Sequence, residues 1–561
     1  MAKLSEQWRN RPLPRGAAWW KCTGGLLLWL VALETLTGVL LLTVYTPSVT
    51  DAWASTWYIQ YELPFGNLIR GLHYYGAHVL LIVVAIHLVR VLLTGAYRRP
   101  FYGVWITGLL LVPVVLLLAA SGNPLPWSHK AVGQVQVETH IIGSMPGLGP
   151  VLQRLVVGGA ELGQRTLSHF FALHVAVLPL VGVWLLWIHV QKLLAASRQA
   201  AAELADAPSY FPHQTVWNAV AFAIVLGGLV YLSLQRPAPL GPPADPTLPS
   251  SPRPEWYFLA LFELRRYFTG ALEFVATGIL PGVLLLWFAA LPLVERIVGR
   301  RLGRLLAWFS VLAVGSAAAL LTWLPLRRDA DDAQHQAIVS ELDAIGERAV
   351  VLARLGIPPE GPAELLQRDP VTMGPILFRK HCATCHPYGG QWCEEPKASD
   401  LKGFGTEEWL WALVQKPDDP RFFGHTKHRE MAEWSKETLA TASEEEIEEI
   451  RRAVQWLAMH PKGTPEEEDK QSAFAQGYEA FDAWCIECHT YEGDGGFNIK
   501  APDFTGYGSV EWIAAQIRNA ASEHLYGEEA EMPAFEEKLT EVQIQVLARW
   551  LAGESDPVLD D

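Results

Sequence analysis

The sequence predicts an all-α protein, a seven-span transmembrane helical bundle followed by two tandem small all-α domains. Three observations predict it. Seven apolar stretches near membrane-spanning length fill the first 326 residues. A polar, strongly acidic part follows them. Within that part the motif Cys-x-x-Cys-His occurs twice, at Cys382–His386 and Cys485–His489, 103 residues apart.

The apolar stretches run approximately over 23–45, 74–95, 103–121, 169–192, 214–233, 276–296 and 304–325. A hydrocarbon core of about 30 Å takes about 20 such residues per helix. A buried soluble helix explains one stretch, not seven in succession. The basic N-terminus leads straight into a full-length span, so no cleavable signal is expected. Residues 1–330 carry 24 Lys/Arg against 14 Asp/Glu, a net of +10, and residues 331–561 carry 20 against 45, a net of −25. That asymmetry points to two environments. Arg9, Arg11, Arg15 and Lys21 precede span one, Arg90, Arg98 and Arg99 follow span two, and Arg296, Arg300, Arg301 and Arg304 lie between spans six and seven. Single crossings put all three clusters on one side, the cytoplasm by the positive-inside rule. The expectation is a multi-pass protein of the bacterial inner membrane, in contact with lipid, with a cytoplasmic N-terminus and a periplasmic acidic part. No nucleic acid is expected as a partner.

Histidines inside spans are costly and usually functional. Span two holds His73, His78 and His87, and span four holds His169, His174 and His189. At about 100° per residue, His73 and His87 return to within about 40° of one face and His174 and His189 to within about 60°. His78 lies roughly 140° from His73. Each pair is separated by about 21–22 Å along its helix. Two such helices facing each other would hold two hemes stacked across the membrane, by His73 with His174 near the outside and His87 with His189 near the cytoplasm. Gly24, Gly25, Gly38, Gly76 and Gly182 would admit a flat macrocycle or simply pack helices.

These residues carry a family resemblance. Cys22-Thr-Gly-Gly, Thr46–Ser55, Arg90–Pro100, Leu125-Pro-Trp127 and Thr166–His174 make residues 19–195 resemble cytochrome b of the Rieske/cytochrome b complexes, in the chloroplast-type bf form. The 15-residue step in span four matches that form. Residues 207–326 resemble its second membrane subunit, through Pro254-Glu255-Trp256-Tyr257 between spans five and six. The resemblance implies a quinol-oxidation pocket on the outer side, lined by that loop and by the loop after span three. Pro254 and Trp256 would help bind quinol, and Glu255 and Tyr257 would be the catalytic residues. Glu255 would accept a proton, with a pKa raised by partial burial. His129, Glu138 and His140 stand where the family has other residues, and His169 where it commonly has Arg, either near a heme propionate or capping its helix. In the bf form a Cys in the context of Cys22 bonds a third heme through one thioether, beside the quinone-reduction site. The plain alternative for Cys22 is a small buried hydrophobe.

Cys-x-x-Cys-His is the c-type heme attachment signature. A zinc pair would need four ligands per site. The two motifs belong to an internal repeat. Phe378 and Phe481 precede them, Glu408-Trp409 and Glu511-Trp512 follow, and each repeat ends on Trp-Leu-Ala, at Trp456–Ala458 and Trp550–Ala552. Class I cytochrome c folds are expected, with heme c on Cys382 and Cys385 and on Cys485 and Cys488, and with iron ligands His386 with Met431 and His489 with Met532. His425 and His428 are rivals to Met431, and Cys393 has no evident partner. The expected divisions are 1–206 for the four-helix heme bundle, 207–326 for the three-helix segment, 327–370 for a linker with a helix near 333–355, and 371–463 and 464–561 for the two cytochrome c domains. The acidic tail would steer a basic electron carrier or only confer solubility.

Two functions follow. In the first, quinol is oxidised outside. One electron crosses the b hemes to reduce quinone, and the other leaves through a Rieske iron–sulfur protein and the c hemes to a periplasmic cytochrome c or an oxidase. No Rieske-type motif pair is present, so that protein is a separate chain. The family implies a homodimeric complex. In the second, the chain is a passive heme-bearing conduit between another dehydrogenase and the quinone pool. The conduit has no need of Pro254–Tyr257 or of the three-span segment.

Overall fold

The computed structural model describes residue 9 and residues 19–200, 209–426, 429–465, 471–496, 501–522, 525–527 and 530–554. Arg11, Arg15, His428 and the division at 206/207 lie outside the described residues. Almost all regular structure is helical, and the chain divides into two compact units, Met1–Ala363 and Glu364–Asp561.

In the first unit α1 (Cys22–Leu42) is followed by a short α2 (Ala52–Tyr61), then α3 (Gly66–Thr94) and α4 (Tyr102–Gly122). Two short helices come next, α5 (His129–Gly143) and α6 (Gly149–Val157). Then come α7 (Gln164–Ala200), α8 (His213–Gln235), the short α9 (Leu259–Arg265), α10 (Val275–Val298) and α11 (Arg300–Asp331). By length and composition α1, α3, α4, α7, α8, α10 and α11 are the seven helices among the described residues able to cross a membrane. Their apolar surface is largely exposed in the isolated chain, as lipid-facing helices require. The first four form a bundle in which α1 lies along α3 and α4 along α7; α8 packs on α1 and α3, and α10 packs on α11.

Each end of the unit is closed by polar contacts. At one end the segment after α8 is sewn to α2, α3 and α5. Trp53 Nε1 donates to Gly241 O (2.9 Å), Tyr75 Oη to Arg236 O (2.9 Å) and His129 N to Pro242 O (2.9 Å). The buried Arg70 guanidinium donates to Ala238 O (2.6 Å) and Pro239 O (2.8 Å) and also meets Gln60. At the other end Glu295 of α10 accepts from Tyr97 Oη (2.8 Å) and Arg98 Nε (2.6 Å). The basic clusters around Arg98 and Arg296 therefore gather at one end. The 327–370 stretch is largely helical. α11 runs on to Asp331, and α12 (Ala333–Ala353), N-capped by Asp332, packs on the first unit through Trp57 Nε1 to Val350 O (3.2 Å). His335, Val339, Leu342 and Asp343 of α12 line the central cavity.

The second unit holds α13 (Pro370–His381), α14 (Glu407–Gln415), α15 (Glu430–Glu437), α16 (Glu444–Leu457), α17 (Ala473–Trp484), α18 (Val510–Arg518) and α19 (Glu541–Leu551). One continuous core joins residues of both repeats, among them Phe378, Trp409, Trp456, Phe481, Trp512 and Leu547.

Arg70→Met removes the guanidinium from the carbonyls of buried Ala238 and exposed Pro239, and a lost hydrogen bond to a charged group costs about 1.5–3 kcal/mol. The expected outcome is a lower thermal midpoint of the detergent-solubilised protein, measured against Arg236→Met, whose side chain is exposed.

Candidate functional site

His73 and His87 of α3 and His174 and His189 of α7 line one cavity of about 1540 Å³ inside the bundle. Each imidazole is fixed through Nδ1 by a hydroxyl on a neighbouring helix. Thr37 Oγ1 lies 3.0 Å from His73, Thr23 Oγ1 2.9 Å from His87, Thr107 Oγ1 3.0 Å from His189 and Ser121 Oγ 3.3 Å from His174, which also reaches Leu118 O (3.0 Å). Holding Nδ1 in this way leaves Nε2 free to bind a metal. The rings of His73 and His174 are 6.2 Å apart and at 86°. An iron bound between two imidazoles by metal–nitrogen bonds of about 2 Å sets their centroids roughly 6 Å apart, so this pair fits a heme iron.

The helix opposite each histidine carries a glycine. A Cβ would stand 3.2 Å from the His73 ring at Gly38, 3.5 Å from His87 at Gly24 and 3.2 Å from His189 at Gly108, and at Gly122 it would press on His174. Gly108 and Gly122 were not read from the sequence, because α4 offers no histidine to draw attention to them. Gly25, Gly76 and Gly182 face Asn218, Glu34 and Val114 instead, so they pack side chains against their helices. The 15-residue step between His174 and His189 begins in a wide π turn, Leu173–Val177. Such a turn absorbs one extra residue, which brings the pair back to a 14-residue phase.

Glu34 is a further group that sequence reading missed, although an acid in an apolar span is itself a signal. Its Oε2 lies 3.1 Å from His73 Nδ1, and among the described residues its buried Oε1 has no hydrogen-bond partner.

The loop carrying Pro254–Tyr257 closes the cavity at the end where α5 lies. Glu255 Oε1 accepts from Lys130 Nζ (3.0 Å) and Gln134 Nε2 (3.3 Å), and Gln134 Nε2 also donates to Arg253 O (2.7 Å). Trp256 Nε1 donates to His78 Nδ1 (2.9 Å), and the Tyr257 ring lies 6.4 Å from that imidazole. His78 thus meets this loop because its offset from His73 turns it to another face of α3. The expected rise in the pKa of Glu255 is overturned. Burial pushes the carboxyl up, but the Lys130 ammonium, the Gln134 amide and His78 together hold it below its ordinary value. Glu138 is the carboxyl pushed up, to about 7, by burial and by the charge of Glu255. His129 Nε2 donates to Pro249 O (3.0 Å) and lines the cavity, whereas His140 is exposed. His169 Nδ1 meets Val156 O (3.2 Å) at the end of α6.

Cys22 is buried, its Sγ 3.5 Å from Gln214 Nε2 of α8, and Gln214 lines the cavity while Cys22 does not. In the second unit each Cys-x-x-Cys-His forms one turn, with His386 N on Cys382 O (2.9 Å) and His489 N on Cys485 O (3.0 Å). His386 Nδ1 is held at Ser399 O (2.8 Å) and His489 Nδ1 at Pro502 O (3.2 Å), so both Nε2 atoms stay available. This donor set, two thiols and an imidazole on one turn, fits covalent heme.

Residues 9–196 match the family described as Cytochrome b/b6/petB, and residues 472–551 match that described as Cytochrome C oxidase, cbb3-type, subunit III. The chain is 36% identical to the menaquinol:cytochrome c reductase cytochrome b subunit of Geobacillus thermodenitrificans, over 30% of this chain and 75% of that one. It is 32% identical to cytochrome b6 of Prochlorothrix hollandica, over 31% and 79%. It is also 32% identical to the cytochrome bc complex cytochrome b subunit of Chlorobaculum thiosulfatiphilum, and there it spans 46% of its own length and 63% of its relative's. The chain belongs to the cytochrome b/b6 family. Heme b and a quinone are the ligands that family implies, and the four-histidine cavity suits them.

Glu34→Gln exchanges the carboxyl beside His73 Nδ1 for an amide. The expected outcome is a shifted midpoint potential of heme b in a redox titration. An unmoved potential would show that the carboxyl does not act on that ligand.

Proposed function

We propose that this chain is the cytochrome b subunit of a quinol:cytochrome c oxidoreductase, with two c-type heme units attached, that oxidises quinol on the outer side of the membrane and couples the reaction to proton translocation. One observation carries the proposal: Glu255 and Tyr257 line the same cavity as both histidine pairs. Two relatives bear the name menaquinol:cytochrome c reductase cytochrome b subunit, which supports a quinol substrate.

Oxidation of a quinol to a quinone releases two electrons and two protons. Glu255 takes a proton from the quinol hydroxyl as electrons leave. Lys130 keeps that carboxylate ionised before the transfer, and neutralisation of Glu255 weakens the ion pair. Glu138, a neighbour poised near neutral pH, passes the proton outward. Tyr257 lines the pocket, while Pro254 and the exposed Trp256 lie outside its lining, and Trp256, anchored on His78, holds the loop against α3. Bound hemes supply one-electron carriers: two of b type on His73 with His174 and His87 with His189, two of c type on Cys382/Cys385 and Cys485/Cys488. The iron of the c hemes would be held by His386 and His489 together with Met431 and Met532. Cys22 would hold a third covalent heme at the end where Lys21 and Arg90 line the cavity, beside the site of quinone reduction. The partners are a separate Rieske iron–sulfur protein, the quinone pool, a periplasmic cytochrome c or oxidase, surrounding lipid and a second copy of the complex. The membrane is the bacterial inner membrane, with the acidic heme-bearing part in the periplasm.

An oxidant pulse given to purified complex with excess quinol, followed at the b-heme absorbance, tests this. Transient b-heme reduction on adding oxidant is the expected outcome. Simultaneous oxidation of every heme would instead favour a passive conduit. Lys130→Met leaves burial to dominate at Glu255, which then holds its proton to higher pH. A proton acceptor works deprotonated, so the acidic limb of the pH–rate profile should move upward in pH, and a limb that stays put would remove Lys130 from the mechanism.

A further inference from the structure

The two repeats of the second unit have the same order. Each has a helix entering the heme motif (α13; α17), a Gly-aromatic-Gly turn (Gly403–Gly405; Gly506–Gly508), a Glu-Trp helix (α14; α18), a methionine segment and a final helix (α16; α19). A self-contained repeat would pack its entering helix on its own final helix. The pairing is the reverse. α13 lies along α19, and α17 lies along α16. A Cβ at Gly374 of α13 would run into the Trp550 ring, and one at Gly477 of α17 into Trp456.

The aromatic residues that bracket each heme motif follow the same rule. Trp550 of the second repeat stacks on Tyr388 (4.6 Å, 24°) and meets Phe378 edge-on (5.5 Å), on either side of Cys382–His386. Trp456 of the first repeat packs on Phe481 (5.2 Å) and Tyr491 (5.0 Å), on either side of Cys485–His489. Trp484, just before Cys485, donates from Nε1 to Glu449 of α16 (3.3 Å).

The chains cross at the two Gly-aromatic-Gly turns. Gly403, Gly405, Gly506 and Gly508 all have positive φ, between 65° and 78°, a conformation that glycine adopts without steric cost. The turns abut: a Cβ on Gly405 would stand 3.4 Å from Gly508 Cα, and Phe404 packs on Tyr507 (5.5 Å) and Trp512 (6.1 Å). Beside the crossing each loop still touches its own repeat, as Trp409 Nε1 does at Asp400 O (2.9 Å) and Trp512 Nε1 at Asp503 O (3.0 Å).

The methionine segments travel with the final helices. Met532 packs on α18 through Gln516 Nε2 (3.9 Å), and Phe535, three residues on, meets His381, the residue before Cys382 (6.5 Å, 83°). The charges of Lys380 and Lys538 both bear on His381. We propose that the two repeats are reciprocally exchanged, so that the heme on Cys382, Cys385 and His386 is closed by Met532 and the heme on Cys485, Cys488 and His489 by Met431. This rests on the heme-attachment reading above. It reverses the pairing expected within each repeat, and each heme compartment is built mainly from 370–402 with 509–551, or from 473–505 with 406–457; within the first repeat Asp400 N still donates to Arg421 O (2.9 Å) and Ser399 Oγ to Phe422 O (3.1 Å). Exchange of identical elements is a low-cost rearrangement between repeats, and here both partners lie in one chain, so their effective concentration is high.

The test uses the full-length chain in its complex. Cys485→Ser/Cys488→Ser leaves one c heme, on the first motif. In that background Met532→Ala should abolish the far-red methionine–iron charge-transfer band of the oxidised heme and lower its potential, while Met431→Ala leaves both unchanged. Cys382→Ser/Cys385→Ser should give the mirror result. The reverse pattern, or a band that neither substitution removes, overturns the exchange. If the wild-type chain carries no covalent heme in a pyridine hemochrome assay, the attachment reading itself falls, and the exchange of ligands with it. A second measurement needs no variant. Amine cross-linking of the native complex should join Lys380 to Lys538, and a Lys380–Lys436 link in its place would show self-contained repeats.

Discussion

An imidazole that binds iron in the middle of a membrane needs one nitrogen held and the other free. Water is not there to hold it, so the protein must supply the partner. Threonine and serine hydroxyls do this four times, each from the helix packed against the histidine helix. The same two helices, α1 and α4, also bring the glycines that clear space over the rings. The bundle order follows from this double duty. α1 must lie on α3 and α4 on α7, and the remaining spans pack around those two pairs. Glu34 adds a carboxyl to one of the four contacts, so the two histidine pairs differ in their polar surroundings.

At the mouth of the cavity the balance of charge is less simple than a buried acid awaiting a proton. Burial and Lys130 act on Glu255 in opposite senses, and the ammonium prevails. The adjacent Glu138 has no such cation and is driven toward neutrality by burial and by Glu255 itself. Two carboxyls set apart in this way would, on the proposed function, divide the work of taking up and passing on a proton. The ion pair also ties α5 to the Pro254–Tyr257 loop, so the electrostatics and the shape of the pocket are set by the same contact.

Much of this was legible in the sequence, for definite reasons. Spans are long runs of one chemistry, and histidines at 14 or 15 residues fall on one helix face, so seven helices and the His73/His174 pair could be read by counting. The 103-residue repeat and both heme motifs were visible as spacing. What escaped reading depends on which helix lies beside which. Thr37, Thr107 and Ser121 look like ordinary span residues until α1 meets α3 and α4 meets α7. His78 was set aside by its phase, and only the fold of residues 236–258 back over α3 gives it Trp256 as a partner. The pairing of α13 with α19 was illegible for a deeper reason. Two repeats with the same pattern satisfy that pattern equally well packed on themselves or on each other.

The contact between Trp550 and Tyr388 has a consequence for how the molecule is made. A chain synthesised from its N-terminus completes Cys382–His386 about 160 residues before Trp550 exists, and contacts of such long sequence separation form late. The first motif therefore waits, uncovered, while the rest of the chain emerges, whereas the second meets Trp456 almost as soon as it is made. On the proposed heme attachment, the long interval would leave the first pair of thiols open to heme, and arrival of the final helix would close it.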